Sequence, residues 1–125
     1  MNSLYVMLGG ALGAFGRYQF GRLSQHLFGA GFPYGTLGAN LLGGFLMGAL
    51  AGWLARFGTE GEPFRLLLAV GVLGGFTTFS SFSLEIVLMI ERGQIATAAL
   101  YAAASVAGAV SALFAGLLLM RSISA

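Results

Sequence analysis

The chain has 125 residues, of which 58% are hydrophobic and only 8% charged, and its mean hydropathy is +0.89, whereas soluble domains carry roughly 25% charged residues. Such a composition describes an integral membrane protein with one domain, 1–125, and at about 20 residues per span it allows four or five crossings and no soluble domain. The absence of cysteine excludes thiolate chemistry, disulfides and Cys-rich metal sites, and six arginines spread thinly through the chain make no nucleic-acid surface.

Apolar spans are expected at about 4–20, 36–57, 64–90 and 95–120, giving an all-α protein with four transmembrane helices. The first lacks a basic leader and an Ala-x-Ala-like cleavage site, so it is expected to stay as a span. Arg17 and Arg22 place charge in its second half, and an amphipathic extension could reach Phe28. His26 near its end reads as interfacial. Turn formers or charges separate the spans at 29–35, 58–63 and 91–94, which puts both termini on one side.

In the second span Thr36, Asn40, Gly44, Gly48 and Gly52 recur at intervals of four. One face therefore begins polar and continues as a groove of small residues against which another helix can lie. Gly9 with Gly13, and Gly71 with Gly75, repeat the spacing. Asn40 is an amide at membrane depth; it either cross-links helices or donates hydrogen bonds to a permeant species.

The third span is interrupted by Gly-Gly-Phe-Thr-Thr-Phe-Ser-Ser-Phe-Ser at 74–83. Unpaired backbone groups in hydrocarbon cost several kcal/mol, so a broken helix persists only where protein buries it or where it lines a wet cavity. Broken helices commonly build ion and substrate sites. Phe76 is expected in the break itself, while Phe79 and Phe82 lie close together on the resumed helix among Thr77, Thr78, Ser80, Ser81 and Ser83. Phenyl rings present positive edges, so with Asn40 and the hydroxyls the segment offers an anion-tolerant wall with no fixed positive charge. Glu85 follows with no assigned role, and Glu91 closes the span in solvent.

The fourth span carries Thr97, Tyr101 and Ser105 at intervals of four, followed by Ala109. These hydroxyls either bond back to their own helix or form a polar stripe. Arginines divide evenly by side: Arg56, Arg65 and Arg121 lie with the termini, against Arg17, Arg22 and Arg92 with the first and third loops. A tied positive-inside signal permits insertion both ways, and two opposed copies then form an antiparallel dimer.

Three motifs, Gly-Gly-Ala-Leu-Gly-Ala-Phe-Gly-Arg-Tyr (9–18), Gly-Thr-Leu-Gly-Ala-Asn-Leu-Leu-Gly (35–43) and Gly-Gly-Phe-Thr-Thr-Phe-Ser-Ser-Phe-Ser-Leu-Glu (74–85), make the whole chain resemble the small fluoride channels of the CrcB/Fluc type. The resemblance implies passive fluoride export that relieves cytoplasmic toxicity, in the cell inner membrane, by a dual-topology homodimer with two pores lined by both subunits. It implies a fluoride path along Asn40, Phe79, Phe82, Ser80, Ser81, Tyr101 and Ser105, and a structural sodium ion on the carbonyls of Gly74 and Thr77 at the two-fold axis. One position departs from the pattern: Ala109 stands where the family commonly has a hydroxyl residue, which interrupts the polar track.

Other classes fit less well. A small multidrug-type proton-coupled antiporter needs a carboxylate in its first span, and the first acidic residue here is Glu60, in a loop. A passive packing subunit accounts for the 21 glycines but not for 74–83. No Ser/His or paired-carboxylate arrangement occurs within the spans, so no enzyme is expected.

Overall fold

The computed structural model describes residues 2–29, 31–56 and 58–124. The chain is all-helical: α1 spans Asn2–Phe28 and α2 spans Tyr34–Leu54, and a short 3-10 turn at Gly58–Gly61 leads into the broken third helix. Its first half, α3, runs over 62–76; its second, α4, is Ser80–Glu91; α5 is Ile95–Ser124. Three helices, Tyr34–Leu54, Glu62–Glu91 taken across its break, and Ile95–Ile123, are long and apolar enough to cross a membrane. The first helix runs its full 27 residues to Phe28, so the extension expected beyond 4–20 is helical. Phe57, the last residue expected in the second span, lies outside the described residues.

Glycine seams hold these helices together. A methyl group on Gly48 would lie 1.9 Å from the Leu113 carbonyl oxygen, and one on Gly116 2.1 Å from that of Phe45, so α2 and α5 touch backbone to backbone. Gly44 meets the Ala109 main chain in the same way, while Gly52 lies against the Met120 side chain and Leu117; this is the most extensive helix pairing in the fold. The interval-of-four stripe on α2 thus packs as its spacing predicts. A second seam joins α1 to α3, where Gly9 and Gly13 face Gly71, Val72 and Phe76, and Gly75 faces Gly10. Small residues suit this role because no water-driven force pulls helices together in lipid, leaving close van der Waals contact to do so.

Two backbone features stand out. Over Arg65–Leu73 the third helix is π-helical, with bonds to the fifth residue back, a winding that is rare and usually confined to single turns near functional sites. Between α4 and α5 the chain reverses within 92–94. Gly93 makes that reversal possible at φ +80°, and the Gln94 N–H reaches back to the Met89 carbonyl at 2.8 Å, closing the end of α4.

Candidate functional site

The helix breaks at 77–79. Phe76 belongs to the last closed turn before it: the Thr77 N–H still donates to the Leu73 carbonyl at 3.0 Å, joined there by the Thr77 hydroxyl at 3.1 Å. The expectation that Phe76 sits in the break is corrected, and its ring packs edge-on against Phe20 of α1, 5.8 Å between centroids. Thr77 then turns extended, with φ −82° and ψ 157°.

Asn40 holds the extended segment. Its Oδ1 accepts the Thr78 N–H at 2.9 Å and its Nδ2 donates to the Thr78 carbonyl at 3.1 Å, so one side chain replaces both helical bonds of one residue. This leaves the second N–H of the amide for another acceptor. The Thr78 hydroxyl in turn accepts the Ser81 N–H at 3.3 Å at the start of α4. Across the break the carbonyls therefore differ. Gly75 receives the Arg17 guanidinium at 2.9 Å, Thr78 receives Asn40, and Phe79 receives the Ser83 N–H at 2.8 Å. Those of Gly74 and Thr77 lose their usual donors, because the Thr78 N–H has gone to Asn40 and the Ser81 N–H to Thr78.

Sequence reasoning placed Arg17 as a charge near the end of a span but did not pair it with the break. An ionisable residue among apolar helices seeks a partner, and the partner here is the Gly75 carbonyl next to the break. The expectation of a wall with no fixed positive charge is thereby corrected, since the Arg17 guanidinium is bonded to a carbonyl two residues before the extended Thr77.

A second cluster lies beside α4. Glu85 accepts two hydroxyl bonds, from Tyr101 at 2.9 Å on Oε1 and from Thr36 at 3.1 Å on Oε2. Thr36 and Asn40 sit one turn apart on α2, so the polar head of the glycine stripe reaches α4 with one residue and the break with the other. Tyr101 is fully buried, and its ring packs on Phe82 at 5.1 Å and edge-on to Phe32 at 5.3 Å. Phe79 continues the row at 5.8 Å from Phe82, yet is 78% exposed on the single subunit. Ser80 and Ser81 are exposed beside it.

One turn beyond Tyr101, Ser105 is 6% exposed and its hydroxyl oxygen is buried with no hydrogen-bond partner. Buried polar groups are rarely left so, and each exception calls for an explanation. Of the predicted stripe, Thr97 is half-buried, and Ala109 lies against Gly44 at the α2–α5 seam. The expected path residues thus fall into two groups: Tyr101, Ser105 and Phe82 inside the subunit with Asn40, and Phe79, Ser80 and Ser81 on its open face. His26 and Glu91 are exposed, as expected.

A cavity of about 450 Å³ opens next to the break and is edged by Arg17, Arg22, Arg92, Thr78, Ser81 and Glu85. Arg22 lies 5.9 Å over the Tyr18 ring. The ion pair between Arg65 and Glu62 lies away from this cavity, at the start of α3. Among the described residues no group of three or more His, Asp or Glu side chains could hold a metal ion.

Fold and site together define a small multi-pass membrane protein organised around a discontinuous helix. The chain belongs to the CrcB family: the family model described as "CrcB-like protein, Camphor Resistance (CrcB)" matches residues 4–117. It is 58% identical to the fluoride-specific ion channel FluC of Phenylobacterium zucineum, over 98% of this chain and 97% of that one. It is also 55% identical to the protein of the same name from Novosphingobium aromaticivorans over 96% of each chain, and 54% identical to that of Sphingopyxis alaskensis over the full length of both.

Proposed function

We propose that this protein is a fluoride-selective ion channel, not an enzyme, that passively releases fluoride from the cytoplasm across the cell inner membrane and so counters fluoride toxicity. The observation that carries this reading is the buried, unpartnered Ser105 hydroxyl one helical turn from Tyr101, in a subunit whose helix break is held open by Asn40. A small anion entering a low-dielectric interior faces a Born cost on the order of 20 kcal/mol, against roughly 1.5 to 3 recovered per charged hydrogen bond. Closely spaced donors are therefore needed. Asn40, Ser80, Ser81, Tyr101 and Ser105, with the ring edges of Phe79 and Phe82, supply them. Chloride is too large to share such small hydroxyl cages.

In this reading all four helices span the membrane, α1 included, and the functional unit is an antiparallel, dual-topology homodimer with two pores. What supports the dimer is the tied arginine count together with the open face around Phe79, Ser80 and Ser81, which a second copy would cover. A cysteine introduced beside Glu60 is expected to be labelled from both faces of the membrane; labelling from one face only would exclude dual insertion.

The carbonyls of Gly74 and Thr77, free of their helical donors and without a nearby carboxylate ligand, suit a monovalent hard cation such as sodium, since a divalent ion would need acidic partners. These two residues would hold it at the two-fold axis. When bound, the ion supplies a fixed positive charge that links the subunits.

Liposomes loaded with fluoride or chloride test the channel itself. Fluoride is expected to leave without a proton gradient, and chloride to stay. Equal efflux of both, or a requirement for a proton gradient, would overturn the reading. Phe79→Ile and Phe82→Ile keep apolar bulk but remove the ring edge, so fluoride efflux should fall while dimers persist; unchanged efflux in both would reduce these rings to packing.

A further inference from the structure

We infer that the Glu85 carboxylate is a tethered occupant of the hydroxyl track, an internal anion that permeating fluoride must displace. The inference rests on the channel reading above and concerns the same site.

Proton counting leads to it. A hydroxyl has one hydrogen to donate, and both Tyr101 and Thr36 give theirs to Glu85, at 2.9 and 3.1 Å. While they do, each turns only lone pairs towards a passing anion, which repel it. Ser105, one turn along, is in the opposite condition: its buried oxygen has no partner. The track is therefore ready at Ser105 and closed at Tyr101. Fluoride can use the Tyr101 donor only when the carboxylate lets go.

The structure also offers the carboxylate somewhere to go. Glu85 borders the 450 Å³ cavity edged by Arg17, Arg22 and Arg92, and among the described residues none of these three has an acidic side chain within ion-pair distance. Rotation about the Glu85 side-chain bonds would carry its charge from the hydroxyls towards these guanidiniums, a change between staggered rotamers that needs no backbone movement. The exchange conserves charge at the hydroxyls, since one anion replaces another. Fluoride thus gains Tyr101 and Thr36 as donors while the displaced carboxylate gains arginine. The hydroxyl hydrogens change acceptor, and no covalent O–H bond is broken in the process.

Infrared difference spectra of the protein in lipid bilayers, with and without fluoride, test this. Fluoride is expected to shift a carboxylate stretching band, because the carboxylate loses two hydroxyl donors; chloride should leave the band in place. Glu85→Gln should abolish the shift, which assigns it against the three remaining acidic residues. In the same variant the competitor is neutral, so fluoride efflux should half-saturate at about tenfold lower fluoride, the size of one charge-assisted hydrogen bond. A conducting wild-type protein with no fluoride-dependent carboxylate band would overturn the inference, as would Glu85→Gln that saturates like wild type. Should Glu85→Gln fail to assemble, the wild-type band alone decides. Absence of fluoride efflux from the wild type is a separate result, and it would overturn the channel reading instead.

Discussion

Gly48→Ala is expected to leave little folded protein. The new methyl carbon would sit 1.9 Å from the Leu113 carbonyl oxygen, a main-chain atom that cannot rotate aside, so α2 and α5 must part along the whole seam. Overpacking a tight interior typically costs about 1–3 kcal/mol. Here the displacement also loosens Gly44 from Ala109 and Gly116 from Phe45, and the expected loss is about 3 kcal/mol or more. The gain in helix propensity from glycine to alanine, about 1 kcal/mol, is too small to offset it. Gly10→Ala is the control, because nothing lies within 4 Å of a methyl group there, and it should be neutral or slightly stabilising. Denaturant unfolding of both variants in bicelles makes the comparison, and equal stability of the two would refute the seam as the source of cohesion.

Asn40→Ala is expected to keep the fold and lose conduction. Removing the amide strips partners from both the N–H and the carbonyl of Thr78, and leaving such groups buried and unpaired costs about 1–3 kcal/mol each. The chain has a cheaper course: the Thr78 N–H can close onto the free Gly74 carbonyl and extend the helix through the break. Phe79 then turns away from Phe82, and the Gly74 carbonyl is no longer open. A penalty of about 3 kcal/mol on the conducting geometry corresponds to roughly a hundredfold loss of fluoride efflux. Asn40→Asp should fail too, since it keeps the acceptor for the Thr78 N–H but sets a carboxylate oxygen against the Thr78 carbonyl. Efflux near wild type in Asn40→Ala would show that the break stands without its staple.

How much of this was legible depended on the range of the interaction. The α2 stripe could be read because an interval of four returns to the same helix face at each turn, and Gly44, Gly48 and Gly52 pack accordingly. The interruption at 74–83 was visible for a similar reason, as a cluster of small and hydroxyl residues inside an apolar span. Its edges were not, because they depend on where the Thr77 and Thr78 N–H groups go, and that is decided by Leu73 and by Asn40, 38 residues away from Thr78. Arg17 and Glu85 escaped the sequence reading as partners because each bonds far along the chain, Arg17 to Gly75 and Glu85 to Thr36. The signal was present all the same: an ionisable residue within an apolar span asks for a partner. The π winding of Arg65–Leu73 left no trace, since an apolar run reads alike whichever way it is wound.

Tyr101 is the only large side chain fully buried among the described residues, while leucine, valine and phenylalanine side chains of every main helix point outward. The subunit therefore has almost no oil drop of its own. Its cohesion comes from glycine contacts and a few hydrogen bonds, and the fatty acyl chains around it take the place that a hydrophobic core holds in a soluble domain. Little apolar surface changes neighbours when the helices separate within lipid, so heat capacity, the signature of water meeting hydrocarbon, should scarcely enter the balance. The surrounding bilayer acts less as a container for this fold than as one of its structural components.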